Sequence, residues 1–164
     1  MDSEERVIVG MGEYQIRKEG FKLMCVGIGS CIATMVYDSA KKVYGMAHIM
    51  LPFHSEVPRK TANPNKYADI GIINLINDLV AQGAVRRNLK AKIAGGAHMF
   101  PSLKESEKSI NVKNANAVRQ VLQDNSIELL SDDTGGGYGR TVIFNTSTEE
   151  CKVLLKATGE ERVL

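Results

Sequence analysis

A chain of 164 residues, 43% hydrophobic and 24% charged, can build one core of its own but not two comfortable ones, and its composition excludes a disordered protein. No stretch reaches the roughly 18 apolar residues that a membrane span needs, and the acidic, polar start "MDSEERVIVG" lacks a signal-peptide pattern, so one cytoplasmic domain over 1–164 is expected. A net charge of +2, with basic residues densest in "VRRNLKAK", gives no electrostatic case for nucleic acid.

In chain order, residues 6–17 alternate loosely and carry β-branched side chains, with Gly10 and Gly12 as bend points, which predicts one interrupted strand. "FKLMCV" predicts a second strand that "GIGS" breaks. Residues 31–37 and 43–51 predict two more, joined by the turn formers of "DSAKK". Residues 64–82 form the strongest helical pattern: Asn63 caps it, Pro64 suits its first turn and Gly83 stops it. Ile72, Ile73, Ile76, Leu79 and Val80 are its expected buried stripe. "LKAKIAGGAHMF" reads as a strand entering a glycine turn. A second helix over 112–124 places Ala115, Val118, Val121 and Leu122 on one side, with Asn125 as its stop. "IELLSD", "TVIFN" and "CKVLLKA" return to strand. Helices that come singly between groups of strands predict an α/β (α+β) fold, a layered sandwich of mainly antiparallel strands with two main helices.

The three cysteines, Cys25, Cys31 and Cys151, are an odd set without C-x-x-C spacing, so neither a disulfide framework nor a metal site is expected. Cys31 follows a Gly-x-Gly-Ser run, and His48 lies seventeen positions further on in an apolar strand. A four-residue loop over 38–41 would pair Tyr37 with Lys42, and counting back sets Cys31 directly opposite His48. Side chains so opposed share a face, with Cβ atoms roughly 4.5–5.5 Å apart. An imidazole at that distance can activate a thiol, and glycine turns such as Gly29-Ser30 leave N–H donors for an oxyanion. Spacing alone equally accommodates a buried strand cysteine and a core histidine bonded to a carbonyl. The glycines Gly95, Gly96, Gly135, Gly136 and Gly137 read as tight turns, either of which could line a site. "GGGYG" is no dinucleotide fingerprint, because a strand pattern follows it. Lys66, Tyr67 and Asp69 mark a helix start, where Asp69 suits the macrodipole. His54 and His98 read as loop residues, and Met46, Met50 and Met99 as core, with a methionine-containing rim for a helical protein substrate as the alternative.

Several blocks in order, "GEY", "GIGSC", "AHIMLP", "KYAD", "KIAGGAHMF" and "DTGGGYGRT", resemble the CheD family of chemoreceptor glutamine deamidases over nearly the whole chain. The resemblance implies a cofactor-free cysteine hydrolase that converts receptor glutamines to glutamates. It also implies a layered fold related to the catalytic domain of cytotoxic necrotizing factor toxins. The family nucleophile falls on Cys31 and its general base on His48. The implied partners are the cytoplasmic helices of methyl-accepting chemotaxis proteins and a CheC-type phosphatase. Two departures stand out. Cys25 occupies the position of a family threonine counted with the catalytic set, and a thiol is a weaker hydrogen-bond partner than a hydroxyl. Asn111 stands where the family tends to have glycine. Two rival readings follow: an inactive adaptor that binds receptor or CheC, and a redox sensor in which Cys25 and Cys31 oxidise together.

Overall fold

The computed structural model describes residues 4–100 and 102–164. One sheet takes β1 (Glu5–Ile8), β3 (Phe21–Ile28), β8 (Arg140–Asn145), β9 (Cys151–Leu155) and β10 (Glu161–Val163), in the order β1-β3-β8-β9-β10. A second takes β2 (Tyr14–Arg17), β5 (Val43–Ile49), β4 (Ile32–Asp38), β6 (Lys90–Gly95) and β7 (Glu128–Thr134), in the order β2-β5-β4-β6-β7. All pairings are antiparallel except β1 with β3 and β6 with β7. The helices α1 (Ala68–Ala81) and α2 (Ile110–Asp124) cover the outer face of the second sheet.

The layered α/β sandwich expected from the sequence is therefore present, with the second sheet as its middle layer. β4 and β5 are buried at every residue, as strands sandwiched on both faces must be. Ile32, Val36, Val43, Ala47 and Ile49 pack toward the helices with Ile72, Leu75, Ile76 and Leu79. Ala33, Met35, Tyr37, Tyr44 and Met46 pack toward the first sheet with Leu23, Val142, Phe144 and Val153. Each such large side chain contributes about 1.5–3 kcal/mol when withdrawn from water. Gly45 brings α1 close, because a Cβ there would lie 2.7 Å from Leu75 Cδ1.

Three expectations need correction. Residues 6–17 are not one interrupted strand: β1 and β2 belong to different sheets, and the turn between them crosses the sandwich. The helix expected over 64–82 begins as a separate 3-10 turn, Pro64–Lys66, which Asn63 does cap by accepting from Asn65 N at 3.1 Å. Tyr67 then returns to extended backbone to bridge Leu51, so the α-helix starts at Ala68. Within α1 the buried stripe runs through Ile72, Leu75, Ile76 and Leu79, whereas Val80 is exposed. Gly83 ends the helix with φ +109°, as its sequence position suggested. The short β10 was not anticipated.

Candidate active site

The β4–β5 hairpin sets the geometry. Its loop does hold four residues, but they are residues 39–42, so Asp38 pairs with Val43, Ala33 with His48 and Ile32 with Ile49. The expected direct pairing of Cys31 with His48 is thus wrong: moving the loop one residue along the chain changes the register by two. A change of two keeps every side chain on its face. Cys31, just before β4, and His48, on β5, become diagonal neighbours on the face turned toward the first sheet. Both line one cavity of about 400 Å³, completed by Ile8, Val9, Gly10, Met11 and residues 26–29.

The far wall of that cavity comes from an irregularity in β3. The pairing of β3 with β8 shifts register between Cys25 and Ile28, and Gly27 there takes φ +60°. The bulge turns Val26 outward, 54% exposed, the kind of re-aiming for which bulges gather beside sites. The near wall is the turn between β1 and β2, which wraps His48. Gly12 N donates to the His48 carbonyl at 3.0 Å, and His48 N donates to the Glu13 carbonyl at 3.0 Å. Val9 O lies 3.0 Å from His48 Nδ1. A carbonyl can only accept, so Nδ1 carries the proton and Nε2 keeps the lone pair.

Charge in the pair is set by burial. Desolvation pushes the Cys31 thiol above its ordinary value. Burial pulls the His48 imidazole below its ordinary value, against opposing contributions from the Val9 carbonyl and Glu13. Burial thus favours the neutral form of each group, the thiol and the imidazole with its lone pair.

The loop carrying Cys31 is strapped from behind by the glycine turns. Gly96 N donates to Cys31 O and Ala97 N to Gly29 O, each at 2.9 Å. Gly95 has φ +122°, and a Cβ there would fall 2.2 Å from Cys31 O, so only glycine fits. Gly135 N donates to Gly95 O at 3.0 Å and His98 N to Gly136 O at 2.8 Å, joining the two glycine loops side by side. Buried Arg140 holds the second loop, donating to Asp133 O at 2.6 Å and also to Gly135 O. Gly29 lines the cavity; Gly95, Gly96, Gly135 and Gly136 support its floor from outside. No described residue accepts from the N–H groups of Ser30 and Cys31. The Gly29 carbonyl is taken by Ala97, and the C=O and N–H of a trans peptide point opposite ways, so the Ser30 N–H is aimed away from that strap.

The other candidate residues have structural partners. Cys25 is fully buried, with Sγ 3.5 Å from Met46 Sδ. Asp69 accepts from His54 N at 3.1 Å, and the His54 ring meets Tyr67 edge-on at 4.8 Å. His98 Nε2 lies 2.7 Å from Leu103 O. Met46 is core, as expected, but Met99 is 44% exposed and rests on Gly29. Asn111, where a glycine was expected, lies in the first turn of α2 and donates to Gly96 O and to Glu105 Oε2, each at 3.1 Å. The sequence reading missed Val9, which acts through its backbone and leaves no side-chain signal. It also missed Arg140, whose signal was a cation inside the glycine-rich block.

The comparisons with known proteins decide the family. The model of the family described as "CheD chemotactic sensory transduction" matches residues 50–156. A Clostridium novyi (strain NT) protein named "Probable chemoreceptor glutamine deamidase CheD" is 42% identical over 158 residues, 96% of either chain. The chain belongs to the CheD family. A CheD relative of the same name from Moorella thermoacetica is 41% identical over 94% of this chain and 92% of its own. Another from Clostridium botulinum (strain Hall) is 42% identical over 97% and 96%. The crystal structure of Bacillus licheniformis hypothetical protein YfiH covers 81% of this chain and 60% of its own with a TM-score of 0.47 at 12% identity. Among the described residues no helix is long and apolar enough to cross a membrane.

Proposed function

We propose that this CheD-family chain is a protein-glutamine deamidase that acts on the cytoplasmic helices of chemoreceptors, with Cys31 as nucleophile and His48 as general base. The observation that carries the reading is the shared cavity: Cys31 and His48 project into it from one face, with His48 Nδ1 already engaged by Val9 O. His48 Nε2 takes the Cys31 proton as sulfur attacks the glutamine side-chain carbonyl carbon. The N–H groups of Ser30 and Cys31 hold the oxygen that becomes negative. The imidazolium returns its proton to the amide nitrogen, the C–N bond breaks and ammonia leaves a thioester. Water, deprotonated by the same imidazole, then attacks that carbon, the C–S bond breaks, and glutamate and the free thiol remain.

A neutral resting pair suits this sequence, because the proton moves only as the carbonyl is attacked. Access suits a protein substrate: Ile8, Met11 and Val26 line the cavity and Met99 rests on its Gly29, all four side chains at least 44% exposed. An apolar rim of this kind receives the apolar face of a helix. A CheC-type phosphatase is the regulatory partner that the family resemblance implies.

Incubation with a receptor cytoplasmic fragment, followed by ammonia assay and peptide mass spectrometry, tests the reading. Glutamine becomes glutamate with the unmodified protein and stays glutamine with Cys31→Ala, whose thermal melt is unchanged. Binding without conversion by the unmodified protein would mark an adaptor instead. Conversion by Cys31→Ala would dismiss the nucleophile.

A further inference from the structure

Asn114 is a polar residue on the buried face of α2, fully withdrawn from solvent and next to Ala115 and Val118 in the helix–sheet core. Its Nδ2 donates to Ser30 O and to Met50 O, each at 3.0 Å. These two carbonyls flank the reacting pair, one immediately before Cys31 and the other two residues after His48. They also lie just past Ile32–Ile49, the last pair of the β4–β5 ladder. One side-chain amide therefore ties the two strands together where their own ladder has ended.

The chemistry fixes which way the amide faces. Both neighbours are acceptors, so only the NH₂ end can meet them, and Oδ1 is left buried without a partner among the described residues. A buried unpaired acceptor costs about 1–3 kcal/mol, and an apolar side chain of the same size would suit this core better on stability alone. A residue that breaks the packing rule beside the nucleophile points to a role in the site.

That role follows from the peptide between Ser30 and Cys31. There are no cis peptide bonds among the described residues, so its C=O and N–H point in opposite directions. Asn114 holds the C=O on the helix side. The Cys31 N–H is thereby aimed toward the inter-sheet face, where Cys31 and His48 project, and no described residue accepts from it. We infer that Asn114 is a positioning residue for deamidation, clamping the Ser30–Cys31 peptide so that the Cys31 N–H is preset as a donor to the developing oxyanion. This rests on the reading of Cys31 as nucleophile.

Two reactions of the same thiol separate the clamp from general packing. Deamidation passes through an oxyanion, whereas alkylation of Cys31 by iodoacetamide does not. In Asn114→Ala, kcat should fall by about 10- to 100-fold with KM nearly unchanged, while the rate and pH profile of alkylation stay within about threefold of the unmodified protein. An unchanged kcat overturns the inference, and so does alkylation that falls in step with kcat. Cys31→Ala run alongside keeps the two claims apart: if it still deamidates, the nucleophile is wrong, whereas if it is dead and Asn114→Ala is fully active, only the clamp is wrong. A measurement on the unmodified protein stands if the variant does not fold. Both Asn114 side-chain amide protons should exchange with solvent at least about 100-fold more slowly than those of free asparagine, and the Cys31 N–H should be unprotected. Fast exchange at Asn114, or protection at Cys31, overturns the inference.

Discussion

The two ends of the β4–β5 hairpin are built on opposite terms. At the turn end, the carboxylate of fully buried Asp38 accepts from Lys41 N at 3.0 Å, from Val85 N at 2.8 Å and from the Asn88 amide at 3.3 and 3.4 Å. At the open end, the Ser30 and Cys31 N–H groups and Asn114 Oδ1 have no described partner. The His48 imidazole faces a cavity there, and large apolar side chains stand exposed around it. One end of a single hairpin satisfies its polar groups as stability demands, and the other withholds donors and a base. Several local rules of folding are broken together at the open end, the pattern expected of a reacting site rather than a structural one.

The contrast predicts that damage at the open end removes activity and damage at the turn end removes stability. The largest effect belongs to His48→Gln, expected to lower kcat by about 10²- to 10⁴-fold with the melting temperature nearly kept. The same residue sets the pH profile. Since burial lowers its pKa, the acid limb of kcat/KM should fall below the ordinary imidazole value of 6.5. Because burial raises the thiol, the alkaline limb should lie above the ordinary thiol range. Stability follows the same sign: the His48 contribution is present above 6.5, the unfolded value, and is lost as pH falls through the lower folded value. An acid limb above 6.5 would show that the base is charged at rest.

Gly95→Ala comes next and tests the strap. Its Cβ would meet Cys31 O at 2.2 Å from a backbone with φ +122°, so the Cys31 loop must move. A loss of about 2–4 kcal/mol in denaturant melts and at least about tenfold in kcat is expected. Asp38→Ala should cost about 2–3 kcal/mol by leaving buried donors unpaired, while kcat per folded molecule stays unchanged. Burial pushes the Asp38 carboxyl up, but hydrogen bonds from Val85, Lys41 and Asn88 outweigh it and hold the group below the ordinary carboxylate range. Its contribution is therefore present above the unfolded value of 3.8 and lost as pH falls through the folded one. A drop in kcat from Asp38→Ala would break the contrast between the two ends.

Much of the fold was legible because periodicity reports burial. The α2 stripe of Ala115, Val118, Val121 and Leu122 is buried as its spacing indicates, and strands β3 to β9 overlap the segments read as strand. The misses share a cause: each is a tertiary pairing that outweighs local preference. Lys42 at φ +55° carries the hairpin loop one residue beyond the turn formers Asp38 and Ser39, because the Asp38 side chain is drawn inward to Val85 and Asn88. Residues 9–13 look like a kink in one strand, yet they carry the chain from sheet to sheet and wrap His48. In the site, Cys31 and His48 were legible as residue types, and their shared face survived a mistaken register. The carbonyl of Val9 was not, since backbone groups leave no mark in composition.

Position 25 is expected to give the smallest effect. If a hydroxyl six residues before Cys31 were needed to orient the imidazole, Cys25 would leave His48 poorly held. His48 Nδ1 is instead 3.0 Å from Val9 O, and that carbonyl is fixed in turn by the chain around it, with Val9 N donating to Met24 O at 2.8 Å. The Cys25 thiol, pushed up by burial, faces Met46 Sδ in an apolar layer with Leu23 and Val142. Cys25→Thr should therefore change kcat by less than about threefold. It should lower stability by about 1 kcal/mol, because a hydroxyl is harder to satisfy there than a thiol. A gain of about tenfold or more in kcat would mean that the carbonyl holds the ring in a suboptimal pose. Position 25 would then act on the imidazole from the first sheet, and the contrast between the hairpin's two ends would have to extend across to it.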